Sequence, residues 1–238
     1  MNARVALALM AGLVSIAVAL ALGLIVVADG IRDRGVRDTI SVTGSAKRTV
    51  VSDFVVWEAS ISVQEQTTTA AIARLDRWIR RTVAVLREAG IEEDELTVAP
   101  VSTERLTGQF YEPLGFLLTR SLQVRSTRID AVLAAVAASN RLLTEGVPLT
   151  AQPPQYTYTR LADLRPALSA EATEDAIRRA EAIVEITGAE LGGVLDINVA
   201  PFQVTDPGST EVQDYGIYDT STREKEVTAV VNVTFAVK

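Results

Sequence analysis

In 238 residues the chain has no cysteine and no histidine. The first absence removes disulfides, CxxC redox pairs and thiol nucleophiles. Together the two remove Ser-His-Asp triads, haem ligation by imidazole and essentially every structural zinc site. Aromatic residues make up only 5%, and the only lysines are Lys47, Lys225 and Lys238. Basic residues number 23 against 30 acidic ones, for a net charge of −7 and a pI near 4.8. A general nucleic-acid binder needs a basic face to neutralise phosphates, so that class is set aside. Neither a Walker sequence nor a GxGxxG turn occurs, which leaves nucleotide binding without a motif. Any chemistry would have to come from Asp, Glu, Ser, Thr, Tyr, Lys and Arg. No reaction, cofactor or metal is expected from the residues and their spacing.

What the chain does have is a long apolar run near its start. Val5 to Ala28 is 24 residues without a charge, roughly 36 Å as a helix, enough to span a hydrocarbon core of about 30 Å with some tilt. The run exceeds the usual apolar stretch of a secretory signal, although Ala19-Leu20-Ala21 would serve as a small-x-small cleavage site. Residues 1–30 are therefore expected to be an uncleaved membrane anchor, with a signal sequence as the alternative. Basic residues flank the run on both sides, Arg4 before it and Arg32, Arg34 and Arg37 after it, so they do not orient it. Long domains cross membranes largely regardless of their charge, and the expected location is the cytoplasmic membrane, single-pass, with the soluble part on the extracytoplasmic side. Arg4 and Asp29 are the only charged side chains before residue 31, so the whole acidic excess belongs to residues 31–238.

Residues 31–38 are short and polar and are expected to form a linker, and residues 39–238 one domain. From Thr39 the periodicity turns to two. Val55, Trp57, Ala59, Ile61 and Val63 alternate with mostly polar neighbours, the pattern of a half-buried strand. Ile72, Leu75, Ile79, Val83 and Leu86 then recur at helical spacing, with Gly90 as the stop. Two strands are predicted at about 95–106 and 116–126. A second helix is predicted at about Arg128–Leu143, with Thr127 and Asp130 as a capping box. A strand from Gln155 to Leu161 precedes a long helix at 162–187 stopped by Gly188, with Pro166 in its first turn. Strands at about 191–204 and 224–237 complete the pattern. Both halves contain a helix, a glycine stop and a Val-Ala-Pro strand, Leu96–Pro100 and Ile197–Pro201. This suggests a β-α-β-β unit used twice: an α+β domain with helices packed on mainly antiparallel sheet.

Several residues invite a chemical reading. Ser45 and Lys47, two apart in an extended stretch, share a face and could act as nucleophile and base, though no Ser-x-x-Lys or Gly-x-Ser-x-Gly context accompanies them. A Ser-Lys hydrolase is carried as a rival from another class. The acidic run Glu92–Glu95 is expected to be a solvated turn after a helix stop rather than a cation site. Arg74, Arg77, Arg81 and Arg87 could grip an anionic partner, but a solvated helix face is the ordinary outcome in an arginine-rich protein and is the expectation. Trp57 and Trp78 are expected in the core, and the sequon Asn232-Val-Thr234 falls inside a predicted strand. The loops Gly108–Gly115 and Thr205–Thr222 carry aromatics, and Phe110, Tyr111, Tyr215 and Tyr218 are the expected partner or oligomer contacts.

One further pattern runs through the exported part. It opens with Ile40-Ser-Val-Thr-Gly44-Ser-Ala46 and continues through Leu86–Ile91, Gly115-Phe116 and Leu122–Arg125. Next come the long helix Ala176–Ala182 and its exit Thr187-Gly188-Ala-Glu-Leu191-Gly192, and Val227–Val233 closes the pattern. In order and spacing this resembles the SIMPL-domain family, which includes periplasmic immunogenic and oxidative-stress defence proteins of bacterial envelopes. The resemblance implies an α+β fold, export to the envelope and, for some members, assembly into large rings or hollow oligomers. It implies no catalytic residues and no cofactor. Ser52 stands before Asp53 where the family commonly has proline. The resulting expectation is a non-enzymatic, membrane-anchored envelope protein that forms a homo-oligomer or docks partners and supports stress tolerance. A small-molecule or lipid-binding module is the alternative.

Overall fold

The computed structural model describes Leu20, Gly23, residues 38–209 and residues 215–238. The expected anchor, except for two of its residues, and nearly all of the expected linker lie outside the described residues. Among the described residues no helix is long and apolar enough to cross a membrane. The elements run β1 (Thr39–Val51), β2 (Phe54–Glu65), α1 (Thr68–Glu88), β3 (Leu96–Val98), β4 (Ser102–Thr107), β5 (Pro113–Ser126), α2 (Ile129–Thr144), β6 (Leu149–Ala151), β7 (Gln155–Thr157), α3 (Leu161–Thr187), β8 (Leu191–Val199), β9 (Gln203–Thr205) and β10 (Glu224–Val237). The fold class is α+β, as expected. The described chain divides into two compact units, one including Ala176–Asn198 and Asn232–Lys238, the other Gly44–Asp175 and Val199–Val231.

The larger unit holds the six-stranded sheet. β2 pairs antiparallel with β5 from Val55↔Ser126 to Glu65↔Phe116. β3 and β4 lie on the far side of β5, and β6 and β7 on the far side of β2. The period-two face is buried throughout: Val55, Trp57, Ala59, Ile61 and Val63 lie inward, joined by Leu118, Leu122 and Val124 from β5. Helix α1 covers them with Ala71, Leu75, Ile79, Val85 and Leu86, and α2 with Ile129, Val132, Ala135 and Leu142. Each such large apolar side chain contributes about 1.5–3 kcal/mol when fully buried.

Helix ends follow local chemistry. The Thr67 side chain accepts from the Ala70 amide at the start of α1. At its end Gly90 adopts φ +99°, with Gly90 N–H donating to Arg87 O and Ile91 N–H to Leu86 O. Gly146 ends α2 in the same way, with Val147 N–H donating to Leu142 O.

Three expectations are corrected. The capping box at Thr127 and Asp130 does not form: Arg128 is the N-cap of α2 and its side chain makes no cap bond. Pro166 lies inside α3 rather than in its first turn, because the helix begins at Leu161. The predicted strands 95–106 and 191–204 are each broken in two, β3/β4 and β8/β9, and each break falls at a Val-Ala-Pro sequence, since a proline cannot donate to a sheet ladder.

The two sheets share a strand arrangement, but the second is not the consecutive β-α-β-β unit expected. The six-stranded sheet contains β2-α1-β3/β4-β5 in the order β3-β5-β2. The four-stranded sheet runs β1-β10-β8 with β9 on β10, so the broken strand again borders the last strand of its set. The strand that completes this second set is β1, not the expected Gln155–Leu161. That segment shortens to β7 and pairs with β2. A period-two pattern marks a strand without naming its neighbour.

Candidate functional site

The β4–β5 hairpin carries the first expected contact residues. At its base Gly115 has φ +111°, and a Cβ there would stand 2.4 Å from the Glu65 carbonyl oxygen, so glycine is required. At the tip Gly108 N–H donates to Glu112 O at 2.9 Å, Tyr111 N–H to Gly108 O at 3.0 Å and Phe110 N–H to Glu112 Oε2 at 3.0 Å. These bonds hold Phe110 and Tyr111 out at 85% and 87% exposure, with Tyr111 at φ +64°, a conformation few non-glycine residues adopt. Leu114 beside them is also exposed.

The second expected loop separates into two roles. Tyr215 is 97% exposed. Tyr218 instead turns its hydroxyl onto the backbone of Tyr158, donating to the carbonyl at 2.9 Å and accepting from the amide at 3.0 Å, and burial raises its pKa. It fastens the loop and is only partly available to a partner. Residues 210–214, with Glu211 and Asp214, lie outside the described residues. Next to the loop a cleft of about 510 Å³ is lined mainly by Leu161, Pro201, Phe202, Ile217 and the two tyrosines, with the Arg165 guanidinium 5.7 Å over the Phe202 ring.

Loop closure at Asp219 had no sequence signal. Lys225 on β10 is fully buried, and its ammonium donates to Asp219 Oδ2 at 3.2 Å and to the Thr222 carbonyl at 2.8 Å. Burial works to raise the Asp219 pKa, but donors from Ser221, Thr222 and Lys225 outweigh it and hold the carboxyl well below the usual carboxylate range.

Sequence reasoning also passed over an edge. In the four-stranded sheet β8 ends the strand order, and among the described residues no strand pairs with its outer side. Val194, Leu195, Ile197 and Val199 on β8 are all exposed, as are Ile183 and Ile186 on α3. Asp196 is the one charge on the strand; no lysine and no proline interrupts it. Such an edge templates another strand unless it is blunted by charge, proline or a bulge.

Most of the remaining charged candidates are engaged elsewhere. Lys47 Nζ donates to Glu226 Oε1 at 2.6 Å, while Ser45 uses its backbone amide on Asp175 Oδ2 at 3.0 Å. Glu93 pairs with Arg87 at 3.4 Å, and Glu92 and Glu95 are taken by Arg128. Arg128 and the Ser126 hydroxyl bring the Glu95 carboxyl down to about 2. Arg74 pairs with Glu65 at 2.5 Å and lies over the Trp78 ring, and Arg81 meets Glu145 through two 2.7 Å hydrogen bonds. The Asn232 amide oxygen accepts from the Thr43 hydroxyl at 2.6 Å on β10. Among the described residues no group of three acidic side chains is disposed to hold a metal ion.

The described residues form an α+β fold of two sheets and three helices. Residues 40–235 match the SIMPL family, described as "Protein of unknown function (DUF541)", and the chain belongs to that family. No curated protein matches it. Among solved structures it is similar to the de novo designed protein Foldit4, at 17% identity over 42% of this chain and 93% of that one, TM-score 0.26. It is also similar to an amidase of the hydantoinase/carbamoylase family from Burkholderia phymatum, at 17% identity over 57% of this chain and 37% of that one, TM-score 0.28. The regulatory subunit of aspartate kinase from Thermus thermophilus aligns at 15% identity over 82% of this chain and 88% of that one, TM-score 0.23. At these scores the three add nothing to the reading of the site.

Proposed function

We propose that the protein is a non-enzymatic envelope component, anchored in the cytoplasmic membrane by Val5–Ala28 with its domain on the extracytoplasmic side, and that it works by self-association. The observation that carries this reading is β8: an outer strand with exposed branched side chains and almost nothing to discourage a second strand. Tethering confines copies to a surface and raises their effective concentration, so contacts too weak to hold in dilute solution suffice there. The hairpin tip at Phe110 and Tyr111 and the exposed Tyr215 supply further contact surfaces. Membership in a family that includes oxidative-stress defence proteins makes survival under oxidative stress the cellular readout.

The test is the mass of the full-length protein in detergent, measured by light scattering across a concentration series. Discrete oligomers that Leu195→Lys reduces to monomers support the proposal. Monomers of the unaltered chain at every concentration refute it.

A further inference from the structure

A second cleft, of about 530 Å³, lies in the larger unit at the meeting of the β1–β2 loop, the first turn of α2, the segment after β7 and the entry to β10. Its volume falls in the range of small-molecule sites. Three independent features of its wall favour an anion.

Helix α2 opens into it without a side-chain cap. The amides of Ala131 and Val132 both donate to Arg128 O, whereas those of Ile129 and Asp130 have no backbone acceptor among the described residues. Free amides at a helix start, together with the helix dipole, form a ready anion seat. Ser52, only 4% exposed, lines the same cleft, and its hydroxyl is buried without a hydrogen-bond partner. Buried hydroxyls are ordinarily paired. Finally, two guanidiniums reach the cleft with donors to spare. Arg160 Nε bonds Asp53 Oδ2 at 3.3 Å and Arg223 Nη1 bonds Asp130 Oδ1 at 2.7 Å, each using a single nitrogen.

The other charges there complete the picture. Arg128 also lines the cleft, but its guanidinium is engaged by Glu95, Glu92 and the Gly90 carbonyl. Asp53 is fixed by the amide and hydroxyl of Thr159. Asp130, whose side chain is 82% exposed, is free to swing away. It stands in the first turn of α2 and holds Arg223 as a bound anion would.

We propose that this cleft binds a small phosphate-type oxyanion, free or carried on an organic molecule. Its oxygens accept from the Ile129 and Asp130 amides and, once the buried Ser52 side chain turns outward, from its hydroxyl, and take Arg223 from the displaced Asp130 carboxylate. The proposal does not depend on self-association.

Calorimetric titration of the full-length protein in detergent, in phosphate-free buffer, tests it with two probes: inorganic phosphate and glycerol 3-phosphate. Saturable binding of either supports the site and shows whether the anion is free or esterified; no heat from both overturns it. Arg223→Ala should weaken binding about tenfold or more, the loss of a charge-assisted bond. Ser52→Ala should weaken it severalfold while leaving the thermal melt unchanged or raised, because it removes an unpaired hydroxyl. Asp130→Asn supplies the sharpest sign, since removing the competing carboxylate should tighten binding severalfold. Unchanged affinity in all three variants would overturn the assignment even if the probes bind.

Discussion

β2 and β8 are written in nearly the same alphabet, branched apolar residues with scattered polar ones, yet β2 buries a complete face while β8 exposes Val194, Leu195, Ile197 and Val199. The difference lies in their neighbours. β2 has a paired strand on each side and two helices over its inner face. β8 closes one side of its sheet. Hydrophobic content therefore reports a strand's capacity for burial, and only the pairing decides whether that capacity is spent inside the chain or left for another molecule.

That contrast predicts opposite responses to substitution. Trp57→Ala on β2 removes a fully buried indole and should cost about 3–5 kcal/mol, read from the denaturant midpoint. A cost under about 1 kcal/mol would show that β2 is not the centre of the core.

The next effect concerns how β10 holds the aromatic loop. Asp219→Ala leaves the Lys225 ammonium buried with one carbonyl for company and should cost about 3 kcal/mol. Lys225→Met leaves Asp219 with its Ser221 and Thr222 donors and should cost about 1 kcal/mol. Equal costs would mean that the buried charge is not what the carboxylate serves.

Acid should act through Glu95, whose folded pKa of about 2 lies below its ordinary 4.5. Its contribution is complete above pH 4.5 and is lost as pH falls toward 2, on the order of 1–2 kcal/mol after allowance for the exposed Arg128 side of the pair. Glu95→Gln should flatten that part of the stability–pH curve; an unchanged slope would assign the acid sensitivity elsewhere. The smallest effect belongs to β8. Ile197→Thr should change stability by less than about 0.5 kcal/mol, and a larger loss would mean that β8 is covered within its own chain.

Local signals carried far in this chain. The alternation at Val55–Val63, the glycine stops of the helices and the limits of β10 were all legible, because each depends on residues a few positions apart. Phe110, Tyr111 and Tyr215 were legible as projecting aromatics, since each lies in a turn-rich stretch. Tyr218 was not, because its partner is the backbone of Tyr158, brought near only by folding. The cleft around Ser52 joins segments near residues 52, 128, 160 and 223, with no local spacing to announce it. One hint was present: a serine where the family commonly has proline introduces a hydroxyl that nothing among the described residues satisfies.

The pairing of β1 with β10 also sets an order of events. Ser41 and Thr234, 193 positions apart, share a hydrogen bond at 2.9 Å, and the Val237 amide donates to the Asp38 carbonyl at 2.7 Å. During synthesis β1 emerges ahead of the other described strands, and β10 is its sole strand partner among them. The β2–β5 core can form meanwhile from nearer segments. β1 must wait unpaired while some 190 residues are made, and closing so long a loop is slow. The strand thus acts as a latch that engages only once β10 has been made.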